Sequence, residues 1–297
     1  MGLTGSTLAQ DAAVRDEAAG GDRAASDVAR LEAIWSPEWT LRFEPGVYLV
    51  GVSGVLTLAG GGGGVSFSDG EFDLTDDLNL DDPTLQPFGE LHYRRGRLRI
   101  TASGFSASNE SDAVLGGQPT LLPITSLGEA PVFGGDVVKS DLRFVSGELN
   151  VGWRVLGGRA GYEDQLGYGV DVFGGVRVHS VSFDGRIVPA ALSGRSASDP
   201  LATEADELFA EPIVGGRLEL ELYENFGMDL ATSIGGFTTG ERSSFSYDIQ
   251  TGFWAEPTPG FSVQVGFRLL IVRLEGEDDF EWEGSAAGLY WGVGLSF

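Results

Sequence analysis

The sequence predicts an all-β fold: a closed antiparallel transmembrane β-barrel of about ten strands, preceded by a short N-terminal helix or disordered tail. Three observations carry this prediction. Apolar and polar residues alternate with period two along most of the chain after Trp39; long and short connections take turns; and the chain ends in a strand with one greasy face. In that last strand Ala287, Leu289, Trp291, Val293, Leu295 and Phe297 alternate with Ala286, Gly288, Tyr290, Gly292, Gly294 and Ser296.

Two units are expected, residues 1–37 and 38–297. The opening residues, MGLTGSTLAQDA, have neither a basic n-region nor a long apolar core, yet Ser6-Thr7-Leu8-Ala9 before Gln10 has the small residues that end a secretory signal peptide. The expectation is an export remnant, with a mature chain that begins near Gln10. Met1-Gly2 with Ser6 also fits an N-myristoylation pattern, a short motif with a high chance rate that makes no sense on an exported barrel. From Asp11 to Trp35 the chain is rich in Ala, Asp, Glu and Arg, and Val28, Leu31 and Ile34 share one helical side. This reads as a tail leading into a short helix that the Ser36-Pro37 pair ends.

Beyond it the strands are read by their two faces. Leu41 to Leu58, Thr84 to Tyr93 and Leu98 to Ala107 each read as a strand. Val145, Leu149, Val151 and Trp153 oppose Ser146, Glu148, Asn150 and Gly152; Tyr168, Val170, Val172, Val176 and Val178 oppose Asp171, Phe173, Arg177 and His179. Leu218, Leu220 and Leu222 oppose Arg217, Glu219 and Glu221, and Met228, Leu230 and Ile234 oppose Asp229, Ala231 and Ser233. Phe245, Tyr247, Ile249 and Phe253 oppose Ser246, Asp248 and Gln250; Phe261, Val263, Val265 and Phe267 oppose Ser262, Gln264 and Arg268. With the last strand this makes about ten. Eight or twelve stay open, because Val65 to Phe72 reads either as a further strand or as a loop hairpin.

Connection lengths are an independent indicator. Gly60–Pro83, Ser108–Lys139 and Gly185–Leu208 are long; Arg94–Arg97, Tyr223–Phe226 and Glu256–Gly260 are tight; Leu156–Gln165, Thr238–Ser244 and Glu275–Gly284 are moderate. Such a rhythm fits a barrel with loops at one end and turns at the other, and a soluble sandwich gives no reason for it. Tyr93, Trp153, Tyr168, Phe253, Phe261 and Phe297 fall on the apolar face near the turn side, which predicts an aromatic girdle at one interface.

The final strand, Gly288 to Phe297, resembles the terminal strand that the barrel-assembly machinery recognises in outer-membrane proteins, with Trp291, Val293, Leu295 and Phe297 as the assembly signal. The block Phe88-Gly-Glu-Leu-His-Tyr-Arg-Arg-Gly-Arg97 resembles a strand-turn-strand block of uncharacterised bacterial outer-membrane β-barrel proteins. The resemblance spans about Trp39 to Phe297. It implies the outer membrane of a Gram-negative-type bacterium, outer-membrane lipid and the assembly machinery as partners, and a periplasmic tail; it implies no activity.

Composition agrees with this and excludes other classes. There are 46 glycines and 42% hydrophobic residues, yet no run of about 18 apolar residues, so the chain has no candidate membrane helix. There are no cysteines, and 44 acidic against 19 basic residues give a formal charge of −25. Nucleic acid is thereby excluded as a partner, since phosphate binding needs a basic stripe. Asp76, Asp77, Asp81 and Asp82 in the first long loop, and Glu275, Glu277, Asp278, Asp279, Glu281 and Glu283 in the last, do not match a calcium-loop spacing. They read as solvated charge, with divalent cations bridging to lipopolysaccharide phosphates as the sharper alternative. Gly60–Gly64 is a glycine run without the Lys-Ser/Thr of a phosphate loop.

The candidate site is the polar network expected inside the barrel: Arg42, Glu44, Glu90, His92, Arg99, Glu148, Asp171, Arg177, His179, Arg217, Glu219, Glu221, Asp229, Asp248 and Arg268. Two readings stay open, an ion-paired interior that stiffens the barrel and a narrow polar pore for ions or small solutes. A lipid-modifying enzyme would need a His beside a Ser, Asp or Glu near the membrane surface. The two histidines are read as inward, and Ser180 and Ser182 fall on the face opposite His179, so no catalytic residue, cofactor site or metal site is assigned and the chain is not read as an enzyme. A soluble closed barrel that binds an apolar ligand is the remaining alternative, in which the greasy face would point inward.

Overall fold

The computed structural model describes residues 39–57, 71–76, 78, 80, 82–114, 120–122, 130–132, 137–160, 166–188, 201–223, 225–240, 242–276 and 280–297. The expected export remnant, the helix of Val28, Leu31 and Ile34 and the Gly60–Gly64 run lie outside them. Ten strands form the barrel: β1 (Trp39–Thr57), β2 (Thr84–Arg95), β3 (Leu98–Val114), β4 (Val137–Ala160), β5 (Leu166–Val188), β6 (Leu201–Tyr223), β7 (Phe226–Thr239), β8 (Arg242–Thr258), β9 (Phe261–Glu275) and β10 (Glu281–Ser296). Each pairs antiparallel with the next, and β10 pairs back onto β1 from Arg42↔Ser296 to Thr57↔Glu281. Reciprocal backbone bonds between Leu41 and Phe297, at 2.9 and 3.2 Å, carry that seam to the last residue. Closure leaves no open sheet edge along the seam.

The even strand number puts Trp39 and Phe297 at the same end as the turns after β2, β4, β6 and β8. At this turn end Gly96 and Gly260 hold φ of +58° and +80°, left-handed values that glycine adopts without a Cβ clash. The opposite, loop end departs from the expected lengths in two ways. Thr238–Ser244 is not a moderate loop: only Gly240 and Glu241 separate β7 from β8, with Gly240 at φ +59°. The Gly185–Leu208 and Ser108–Lys139 connections are shorter than read, because β5 reaches Val188, β6 starts at Leu201, β3 reaches Val114 and β4 starts at Val137. A short strand, Glu71–Asp73, pairs with Val55–Thr57 above the point where β2 leaves β1, so this part of the Val65–Phe72 stretch is an addition to the rim and not an eleventh stave.

Those strand extensions were hard to read because side-chain polarity reverses along the barrel axis. Over about eleven to fifteen residues per strand the outward side chains are apolar: Tyr168 to Val178 on β5, Leu208 to Leu222 on β6, Phe261 to Ile271 on β9. Above a common level they turn polar. Lys139, Asp141 and Arg143 follow Val145 on β4; Ser180, Ser182, Asp184 and Arg186 follow Val178; Glu204 and Asp206 precede Leu208; Arg273 follows Ile271; Ser285 and Glu283 precede Ala287. The register ties these positions together, since Val145 faces Ser180, Ser180 faces Leu208, and Ile271 faces Ser285, which faces Ser53. On the inward side the change runs the other way. Tyr48, Val52, Leu56, Phe105, Leu142, Phe144, Val181, Phe183, Phe209, Leu270, Val272, Leu274 and Trp282 are all buried there as one apolar cluster.

The expectation of a polar lumen is therefore corrected for the loop-end half. It is a packed hydrophobic core, capped by Leu74, Leu78 and Leu80 from the chain between β1 and β2 and by Phe280 before β10. The physical reason is that a barrel segment with a wet outer wall has only its interior in which to bury apolar area, at about 25 cal/mol per Å². Around the turn end Trp39, Trp153, Tyr168, Tyr223, Phe253, Phe261 and Phe297 point outward and are exposed, with Tyr93 on the same face. These include the aromatic positions read from the sequence.

Candidate functional site

The inward residues below the apolar core form two polar layers. The upper layer centres on Arg177 of β5, whose side chain is fully buried. Its Nη2 donates to Asp248 Oδ2 (2.9 Å), Glu148 Oε2 (2.7 Å) and Ser233 Oγ (2.6 Å), and its Nη1 to Ser246 Oγ (2.7 Å). Arg268 of β9 holds the same Asp248 with two bonds, Nε to Oδ1 at 3.1 Å and Nη2 to Oδ2 at 2.6 Å, and lies over the Phe105 ring at 5.1 Å. Tyr48 donates its hydroxyl to the Arg268 carbonyl at 3.0 Å. His179 stacks on Phe144 at 5.6 Å and faces Glu211 at 3.4 Å, while Ser244 and Ser246 donate to the Glu211 carboxylate. Side chains from β4 to β9 thus meet in one ion-paired knot, which is how a barrel of this width is filled.

The lower layer surrounds a cavity of about 1030 Å³ that reaches the turn end, with Thr40, Ser296, Gly158 and Glu256 on its lining. Arg154 holds Asp171 through Nε (2.6 Å) and Nη2 (3.1 Å) and also donates to Glu219; Arg99 donates to Glu219 and lies 3.3 Å from Asp171. Gly169 makes room for this pair, because a Cβ there would sit 2.4 Å from the Arg154 guanidinium carbon. Arg217 and Asp229 line the same wall, and Glu221 takes Arg159 at 3.3 Å near the mouth. On the β1–β2 side, Arg42 bonds Glu44 and donates to Ser262 at 3.1 Å, and His92 Nε2 stands 3.0 Å from Glu44 and 2.9 Å from Glu90.

The structure thus directs all fifteen network residues inward and divides them between these layers: Glu148, Arg177, His179, Asp248 and Arg268 above, Arg42, Glu44, Glu90, His92, Arg99, Asp171, Arg217, Glu219, Glu221 and Asp229 below. Trp291, Val293, Leu295 and Phe297 point outward and are exposed. Sequence reading missed Arg154, Glu211 and Gln250 as network members. Continuing the alternation two residues past Gly152 would have found Arg154; Glu211 fell between the loop read as ending at Leu208 and the strand read from Arg217. Of the loop acids, Asp77, Asp81, Glu277, Asp278 and Asp279 lie outside the described residues. Glu275 and Glu281 bracket Arg273, at 3.2 and 2.9 Å, and Asp73 caps its own turn through the Thr75 and Asp76 amides. Ser180 and Ser182 face away from His179, with Ser182 Oγ donating to Asp206 at 3.1 Å.

Neither a protein-family model nor a curated protein matches the chain. Among solved structures it is similar to the outer membrane protease OmpT from Escherichia coli, at 11% identity and a TM-score of 0.47, covering 88% of this chain and 98% of that one. It is similar to Neisserial surface protein A at 10% identity, with a TM-score of 0.34 and 87% and 97% coverage. It is similar to the P. putida toluene transporter TodX at 10% identity, with a TM-score of 0.31 and 90% and 92% coverage. A protease, a surface protein and a transporter have no role in common, and likeness at this level assigns none here.

Proposed function

We propose that the chain is an integral outer-membrane barrel with a structural, non-conducting role. Its apolar belt faces lipid, its loop end stands in water roughly 20 Å above the belt, and its cavity opens toward the periplasm. What carries the reading is the reversal of polarity: a belt of the height a bilayer needs on the outside, and directly above it an apolar core on the inside. A soluble barrel with an apolar ligand site is disfavoured by the same observation, since Val263, Val265, Leu289 and Val293 are exposed while Asp248 and Arg268 are buried. Of the two interiors expected from the sequence, the packed one is favoured over the pore, because a filled loop-end half leaves no wet path for ions.

Two experiments test this. Folded protein in planar bilayers is expected to give no single-channel steps, and steps of reproducible size would overturn the non-conducting role. Val265→Arg, at mid-belt, is expected to lose about 2–4 kcal/mol of stability in lipid, whereas Ser180→Arg, just above the belt, loses under about 1 kcal/mol. Urea unfolding from vesicles reads both; equal losses at the two sites would remove the lipid-facing assignment.

A further inference from the structure

On the cavity wall, Glu44 of β1 and Glu90 of β2 stand directly opposite each other in the ladder. Like charges in that position repel, so a cation between the two carboxylates would stabilise the pair. Each carboxylate has one oxygen already engaged: Glu44 Oε1 by Arg42, and Glu90 Oε1 by Gln250 Nε2 at 2.7 Å. Each turns its other oxygen onto the same atom, His92 Nε2, at 3.0 and 2.9 Å, and the three atoms lie within 4.8 Å of one another. An imidazole nitrogen carries at most one proton and makes one well-directed bond with it, so two converging carboxylates exceed what Nε2 can satisfy.

The other ring nitrogen of His92 bears on what the convergence is for. His92 Nδ1 lies 3.2 Å from Thr101 Oγ1 on β3. With Nδ1–H donating to that hydroxyl, Nε2 presents a lone pair to the two oxygens, and a hydrogen bond of this kind is what orients a metal-ligating histidine. Gln250 and Arg42 fix the two carboxylates in the same way. In a tetrahedral site with bonds of 2.0–2.1 Å, ligand atoms stand about 3.3 Å apart. Opening the present N···O separations to that value takes a few tenths of an ångström, within the reach of small side-chain rotations.

We propose that Glu44, Glu90 and His92 bind one first-row divalent transition metal ion, with zinc as the working ion and its remaining coordination position turned to water in the cavity. One imidazole with two carboxylates suits Zn²⁺ and its neighbours, whereas Ca²⁺ and Mg²⁺ prefer oxygen alone. All three ligands line the cavity, so the ion would enter from the turn end. The site is independent of whether the barrel conducts. The competing arrangement is an imidazolium shared by both carboxylates, with no metal.

The full-length barrel, folded in detergent and stripped with a chelator, is the sample for the test. Calorimetry with Zn²⁺ is expected to give one site per chain, and His92→Gln and Glu90→Gln are expected to weaken it at least tenfold while heat-modifiable gel migration reports a folded barrel. Co²⁺ substitution in the unmutated protein is a second readout that needs no variant. Visible bands of the intensity of four- or five-coordination with nitrogen ligation are expected, whereas the faint bands of six-coordinate oxygen sites would mean that loop carboxylates alone hold the ion. Absence of stoichiometric Zn²⁺ uptake, undiminished uptake by folded His92→Gln, or the faint cobalt spectrum would each overturn the assignment.

Discussion

Replacing Arg177 by methionine is expected to cost about 3–5 kcal/mol of folding stability, because it leaves the enclosed Glu148 carboxylate without its principal cation. The side chain has no exposed surface, and its Nη2 bonds both Glu148 and Asp248. Arg268 stays on Asp248 but is 3.8 Å from Glu148, too far for a normal hydrogen bond, so Glu148 loses most. A second change, Glu148→Gln, should then recover part of the loss, since it removes the stranded charge. Urea titrations of the single and double variants in detergent, followed by gel migration, check both steps. A loss below about 1 kcal/mol would mean that water reaches this layer and solvates the carboxylates.

Trp282→Ala is expected to be about as severe, at roughly 3–5 kcal/mol, by a different mechanism. Trp282 is fully buried above the belt and meets Phe144 edge-to-face, with centroids 4.9 Å apart at 71°. Deleting the indole leaves a void among Leu56, Phe144 and their neighbours that a β-sheet wall cannot collapse to fill. Its Nε1 has no hydrogen-bond partner among the described residues, so Trp282→Phe removes area and no polar contact and should cost under about 1.5 kcal/mol. The same unfolding titration separates the two. Near-equal, small effects of both variants would argue that the loop-end interior is wet rather than packed.

The barrel itself was legible because period two is written into nearly every strand, and the inward set was legible because charge alternates with grease at the level of the belt. What escaped was the loop-end half. Leu142, Phe144, Val181, Phe183 and Phe209 are inward there, on the side that carries Glu148, Arg177 and Glu211 lower down, so a rule that sends apolar side chains to lipid assigns them wrongly. The strand continues through the reversal and its period does not change; only the polarity of its two faces does. The grouping of Glu44, Glu90 and His92 was half visible, since Glu90 and His92 share a face two residues apart. The opposition of Glu44 depends on a pairing register that no local pattern encodes.

The level at which the wall changes character also acts as a waterline. In the proposed bilayer setting, sinking the barrel by one step would drag Arg143, Asp206 and Arg273 into hydrocarbon, and raising it would lift Val145, Val178 and Leu208 into the aqueous phase. Both moves are opposed all round the hull, so on that proposal depth and tilt would be set by the protein. A host bilayer of another thickness would have to pinch or swell around it, at fractions of a kcal/mol per ångström.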